Sequence, residues 1–426
     1  MPHEPAIPSQ DERTACSENR HEGVILAMNL KKTAIALGLA AVAAPALAAG
    51  IPELDHAFVI LMENHAYAQI IGNPNAPFIN SYAATANLAT NYYGIGHPSL
   101  TNYLEIVGGS NFGIRNDNSP DWHNATCLPE LARIPALDPN GALEGSPNVC
   151  PIAGNGFDAA TPASDTNEGA GLNNLPFALP SAATVGASIA DQLDAKGMSW
   201  KSYQENLPPF GADRVNFSDG LIADNGQGAS SSAPLPKLYA VKHNPFAYFA
   251  SVQQNGLKNI VDFSRLYRDL KSGDVPNLAF IAPNQCHDQH GRGSKEVGTG
   301  CNFNALATYD PLSTNVTFSA APSQTLISQG DAALSNLVTA IKASPAWRDG
   351  RSAIIVVWDE NDYTTAFDNR VVAIVDTNYG VHGIQSAKLY SHFSLLKTLE
   401  AGFGLPYLNH AADPTTPLMT DLFAAH

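Results

Sequence analysis

The segment from Ala57 to Met62 is apolar at every position and stops abruptly at Glu63-Asn64-His65. A strand with one wet face alternates polar and apolar residues. An uninterrupted run this short instead fits a strand buried on both faces, as in a parallel sheet covered by helices. Residues 275–281, 352–358 and 371–375 repeat the signal, the last two with many β-branched side chains. Helical patterns fall at 75–89, at 98–107 behind a proline suited to a first helical position, at 183–196 before Gly197, at 328–344, and at 391–401 before Gly402. Strands alternating with helices predict an α/β fold: a three-layer αβα sandwich with a mostly parallel central sheet. Residues 109–180, rich in Gly, Pro, Asn and Asp, read as a long disulfide-pinned excursion, one of several loop insertions.

Composition narrows the function. Of the 426 residues 44% are hydrophobic and only 15% charged, which suits a large core and excludes a disordered chain. The net charge of −16, with no basic cluster, argues against nucleic acid and anionic lipid as partners. What remains is a soluble, compact, acidic protein.

Met28-Asn29-Leu30-Lys31-Lys32, an apolar stretch over 33–44 and Pro45-Ala46-Leu47-Ala48 form the pattern of a secretory leader over 28–48. The stretch is too short for a spanning helix, so no stable membrane insertion is expected. Residues 1–27 precede the leader awkwardly and read as an extension from an upstream start codon, leaving 49–426 as one catalytic domain. Export to the periplasm or medium permits disulfides. With Cys16 set aside, the sequence-local pairing is Cys127–Cys150 and Cys286–Cys301.

In parallel sheets ligands bind beyond the carboxyl ends of strands. Three of the four runs end there in polar clusters: Glu63-Asn64, Asn284-Gln285-Cys286-His287-Asp288-Gln289-His290, and Asp359-Glu360-Asn361-Asp362. The fourth reaches Asp376 without a comparable cluster. Carboxylates from separate strand ends repel unless a cation joins them. In Gly96-His97-Pro98-Ser99-Leu100-Thr101-Asn102-Tyr103, a helix that starts at Pro98 puts Ser99 in the first turn, where free backbone N–H groups favour an anion.

With these segments, and with Asn73-Pro74-Asn75-Ala76-Pro77, Trp200-Lys201-Ser202-Tyr203-Gln204-Glu205, Lys242-His243-Asn244-Pro245-Phe246 and Tyr390-Ser391-His392-Phe393-Ser394, the chain resembles the secreted phosphoesterases. That family contains acid phosphatases and phosphocholine-type phospholipases C, within the alkaline phosphatase superfamily. The resemblance implies an alkaline-phosphatase-like fold and a metal-assisted hydrolase. Glu63, Asn64, Asp359 and Glu360 match the metal ligands, and Ser99 the nucleophile, with Thr101 as the competing hydroxyl. Proline is more usual at Thr101, and some members carry Asp at Glu360. The oxygen-rich donor set leaves Ca, Mg, Mn and Zn open. His243 resembles a histidine that contacts the phosphoryl group, and Asp288 with His287 or His290 resembles a second cluster. Of the two, His290 is favoured, because residues two apart point the same way in an extended segment. His97 is expected to orient the helix entry, and His392 to cap a helix or serve the site.

The expected partner is a small phosphorylated substrate, and the expected activity is hydrolysis of phosphate monoesters through a phosphoserine at Ser99. The alternatives are a phospholipase C or other phosphodiesterase, for which Tyr92, Tyr93, Trp122 and Tyr203 are available as a choline cage, and a secreted non-catalytic cation- or glycan-binding protein.

Overall fold

The computed structural model describes residues 50–114, 116–122, 149–156, 158, 184–208, 212, 238–291, 301, 320–362 and 369–425. The leader, the extension before it, Cys16 and Cys127 lie outside these residues.

The elements in chain order are β1 (His56–Met62), α1 (Tyr67–Ile70), α2 (Pro77–Thr85), β2 (Asn87–Tyr93), α3 (Ser99–Gly108), β3 (Asn155–Gly156), β4 (Thr184–Val185), α4 (Ile189–Lys196), β5 (Trp200–Gln204), β6 (Ile260–Asp262), α5 (Phe263–Ser272), β7 (Leu278–Ala282), α6 (Ala320–Ala343), α7 (Pro345–Arg348), β8 (Ser352–Trp358), β9 (Arg370–Thr377), β10 (Gln385–Ser386), β11 (Tyr390–Ser391) and α8 (His392–Gly402). Among the described residues a nine-stranded sheet runs in the order β10-β2-β9-β8-β1-β7-β5-β6, with β11 also on β2. Every pairing in this sheet is parallel except those of β9, which is antiparallel to both β8 and β2. The fold is thus the expected α/β class with a mostly parallel sheet.

β1 and β8 begin and end where their apolar runs do, and both are buried almost throughout. Helices fall into two packed groups, α3 with α4 and α8, and α2, α5, α6 and α7. The central strands are buried on both faces, so each group covers one face and one contiguous apolar core fills both.

Three expectations need correction. The predicted helix over 75–89 is the shorter α2 followed by β2. Asn87 opens that strand because its amide donates to Val381 O and Leu422 O, both at 2.9 Å, satisfying a buried polar side chain. The helix predicted from 183 begins at Ile189, behind Ser188, whose hydroxyl donates to Asp191. Because β9 runs antiparallel, Asp376 lies at the opposite edge of the sheet from the other strand-end clusters.

Cys286 and Cys301 form a disulfide. Cys150 is also disulfide-bonded, while its expected partner, Cys127, falls outside the described residues.

Candidate active site

The register of β1 fixes the site. Met62 pairs with Trp358 of β8, so Glu63 and Asp359 leave the sheet side by side, and Asp359 N–H donates to Met62 O at 3.0 Å. On the other flank Glu63 N–H donates to Asp288 O at 2.8 Å, tying in the loop after β7. Three strand ends therefore meet at Glu63.

The helix bearing Ser99 enters from β2. Gly94 lies so close to this junction that an added Cβ would stand 2.5 Å from Asp359 O, so only glycine lets the chain pass. Ser99 is the first residue of α3, with Pro98 just outside it, and all ten residues of the helix are buried. Ser99 Oγ stands 3.2 Å from both Glu63 Oε2 and Glu360 Oε1. A hydroxyl has one proton, so it donates to one of these carboxyls at a time. Thr101, the competing hydroxyl, donates to Ile114 O at 3.2 Å instead.

Asn102, one turn on from Ser99, accepts from Ile95 N–H and Gly96 N–H and donates to Glu360 Oε2 at 3.0 Å. His97 Nδ1 meets the same oxygen at 2.9 Å. Asn64 reaches the cluster through its backbone N–H, which donates to Asp359 Oδ1 at 3.1 Å. Behind the carboxylates, His392 Nε2 donates to Asp359 O at 2.6 Å and Nδ1 accepts from Tyr92 O–H at 3.0 Å. Burial pulls His392 down to about 4, so it is neutral and fixes that loop.

His243 bridges the acids, with Nε2 at 2.8 Å from Glu63 Oε1 and Nδ1 at 3.1 Å from Asp288 Oδ2. Its ring stacks on Tyr103 with centroids 5.2 Å apart. His290 lies beside it, at a ring-centroid distance of 5.7 Å, whereas His287 turns away to Glu205 at 2.9 Å. Residues 284–290 form turns rather than an extended segment, with Gln289 at φ +84° and its Oε1 accepting from Trp358 Nε1–H at 2.8 Å.

Burial, with repulsion between neighbouring carboxylates, raises the pKa of Glu63, Asp359 and Glu360. Burial likewise lifts Asp288 to about 7, against the pull of His243. One ligand oxygen from each of Glu63, Asp359 and Glu360 lies within 4.8 Å of the others, and Asp359 Oδ2 is buried with no hydrogen-bond donor against it. Three buried carboxylates facing one another, one of them with an unsatisfied oxygen, fit a hard divalent cation.

Three of the four aromatic candidates for a choline cage are engaged on separate elements. Tyr92 is bound to His392, Tyr203 O–H donates to Asp269, and Trp122 Nε1–H donates to Ala247 O.

Against this geometry, the phosphoesterase family profile matches residues 73–406. The chain belongs to the phosphoesterase family. An acid phosphatase of Aspergillus fumigatus is 25% identical over 82% of this chain and 55% of its own length. A phosphatidylinositol-3-phosphatase of Mycobacterium tuberculosis is 24% identical over 88% of this chain and 85% of its own. The chain thus spans about half the length of the fungal relative and most of the mycobacterial one. Among solved structures, an alkaline phosphatase superfamily protein from Vibrio parahaemolyticus is similar at a TM-score of 0.41 and 12% identity, covering 86% of this chain and 73% of that one.

Three polar side chains around the candidate site were not singled out from the sequence: Asn102 on Glu360, and Lys242 and Asp117 near Ser99. His97, expected to orient the helix entry, meets Glu360 Oε2. Asn102 follows Ser99 by three residues, a same-face helical spacing that could have been read. Lys242 adjoins His243, but adjacency alone does not say where its long side chain ends.

Proposed function

We propose that this phosphoesterase hydrolyses phosphate monoesters through a phosphoserine at Ser99, with a divalent cation held by Glu63, Asp359 and Glu360 and by Asn64 beside them. The observation that carries the reading is the position of Ser99 Oγ, 3.2 Å from carboxylates of two different strand ends, at the first residue of a buried helix. When bound, the cation would supply fixed positive charge that favours the ionised hydroxyl and offsets charge developing on the phosphoryl oxygens.

The residues divide the remaining work. Ser99 Oγ attacks phosphorus as its proton passes to Glu63 Oε2 or Glu360 Oε1; the Oγ–P bond forms and the ester P–O bond breaks in line. His243, held at Nδ1 by Asp288, presents Nε2 at the reacting centre, where it binds an equatorial oxygen or hands a proton to the departing oxygen. Water then attacks phosphorus from the side the leaving group vacated, and Oγ regains a proton as the P–Oγ bond breaks. Asn102 and His97 hold Glu360 in place throughout. The leader pattern and the disulfide support an exported enzyme, and among the described residues no helix is long and apolar enough to cross a membrane.

The test is Ser99→Ala beside Thr101→Val, assayed on p-nitrophenyl phosphate and on a phosphoinositide monoester, the substrate class in the mycobacterial relative's name. Ser99→Ala is expected to abolish turnover and the acid-stable phosphoenzyme while circular dichroism stays unchanged. Thr101→Val is expected to stay within about threefold of wild type, since it touches only a backbone carbonyl. Wild-type turnover by Ser99→Ala would refute the assignment.

A further inference from the structure

Ligand-type atoms converge a second time at this site: Glu63, His243 and His290 each bring one within 4.8 Å of the others. By donor chemistry alone that trio would take another cation. A cation is already there, the ammonium of Lys242. Its Nζ donates to Asp117 Oδ2 at 2.8 Å, reaches His290 Nε2 at 3.3 Å and Ser99 Oγ at 3.4 Å. An ammonium only donates, so His290 Nε2 is the acceptor, and the ring's N–H sits at Nδ1, donating to Gly291 O at 2.7 Å. The lone pair that His290 would offer a metal is therefore taken.

Asp117 anchors the arrangement. Its Oδ1 accepts from Leu100 N–H at 3.1 Å, in the first turn of α3, while its Oδ2 holds Lys242. The ammonium is thereby tied to the helix that carries the nucleophile. Burial opposes the charge, but Asp117, Glu63 and Glu360 outweigh it and keep Lys242 cationic.

We propose that Lys242 is a further catalytic residue: its Nζ, positioned by Asp117, stands where a second cation would and binds the non-bridging phosphoryl oxygens as Ser99 attacks, selecting dianionic phosphate monoesters over diesters. A monoester brings two negative charges and three non-bridging oxygens to the site; a diester brings one charge and two oxygens. A fixed ammonium therefore gains more from the monoester, and most from its transition state. The inference rests on the phosphomonoesterase reading above and adds what sets its substrate class.

The experiment compares metal-loaded wild type with Lys242→Gln, Lys242→Arg and Asp117→Asn. It measures kcat/KM for p-nitrophenyl phosphate and bis-p-nitrophenyl phosphate, the affinity for inorganic phosphate by calorimetry, and metal content by mass spectrometry. Lys242→Gln is expected to lower kcat/KM for the monoester about 100- to 1000-fold, the diester value about tenfold or less, and phosphate affinity at least about tenfold. Lys242→Arg restores most of the phosphate affinity, and Asp117→Asn weakens it by a smaller factor with metal content unchanged. Wild type is expected to hold one metal ion per chain. Should Lys242→Gln fail to fold, Lys242→Met, which keeps the stem and removes the charge, replaces it. Equal losses on both esters with unaltered phosphate affinity would overturn the inference, as would two metal ions in wild type. If Ser99→Ala is dead while Lys242→Gln keeps the wild-type monoester-to-diester ratio, this inference alone fails. If wild type turns over neither ester, both fall.

Discussion

Replacing Asp359 by Asn should change the sign of its effect on stability according to whether a cation is present. Asp359 is fully buried, faces Glu63, and has one oxygen without a donor. Two unit charges 4.8 Å apart, the outer limit for this trio, repel by about 3.5 kcal/mol at an effective dielectric of 20. A shared proton relieves part of this in the cation-free protein, leaving a gain of about 1–3 kcal/mol for the neutral amide. The substitution keeps the acceptor that Asn64 N–H uses, so no backbone bond is lost. For a domain of this size 1 kcal/mol moves the melting temperature by roughly 1–2 °C. After chelation Asp359→Asn should therefore melt a few degrees above wild type, whereas with saturating cation wild type should melt higher and the variant should barely respond. The folded state raises the carboxyl pKa, so it binds more protons than the unfolded chain. Chelated wild type accordingly loses stability as pH rises from about 4, the ordinary Asp value, and the variant's advantage widens toward neutral pH. Differential scanning calorimetry at pH 4.5 and 7.5, with EDTA and with each of Ca, Mg, Mn and Zn, reads this directly. A chelated variant less stable than chelated wild type, or a wild-type melt indifferent to every cation, would refute the reasoning.

Two further outcomes follow from other parts of the fold. His410 is buried between Asp158 on Nε2 and Asp413 on Nδ1, and these carboxylates, against the effect of burial, hold its pKa above the ordinary value. That stabilisation is fully present below about pH 6.5, the ordinary His value, and fades as pH passes the raised value. His410→Gln should thus cost about 2 kcal/mol in urea melts at pH 5 and clearly less at pH 9. Reducing the Cys286–Cys301 bond, which closes a 15-residue separation, should cost about 3 kcal/mol of stability. Because Asp288 and His290 follow Cys286 closely, loss of this bond should also lower kcat/KM about ten- to hundredfold, checked by assay below the unfolding transition of a Cys286→Ser, Cys301→Ser double variant, which leaves the bond of Cys150 intact.

What could be read from the sequence follows from where each strand lies. β1 and β8 are enclosed on both faces, so their composition is uniform and their limits are visible. β2 hides behind Asn87, Thr90 and Asn91, whose side chains bond to backbone carbonyls near the sheet edge. β5 hides in the same way: Lys201 and Tyr203 both bind Asp269 of α5, and Ser202 binds Asn244, giving a strand that reads as polar. The reversal of β9 had no local signature, since a strand's direction depends on the connection rather than on the residues. At the site, the acids and Ser99 stood out because strand ends and a helix start place them, whereas His243, in a short turn of 3-10 helix, stood out only through the family resemblance. Lys242 and Asp117 did not, because their side chains meet across 125 residues of sequence.

The complete enclosure of α3 has a consequence for how this scaffold varies. Backbone amides from Tyr103 to Gly108 should exchange with deuterium only when the whole domain opens, so the scaffold fixes the depth and orientation of the Ser99 hydroxyl. Adaptation to a bulkier or differently shaped ester then has to come from the surrounding loops, while that hydroxyl stays where the sheet puts it.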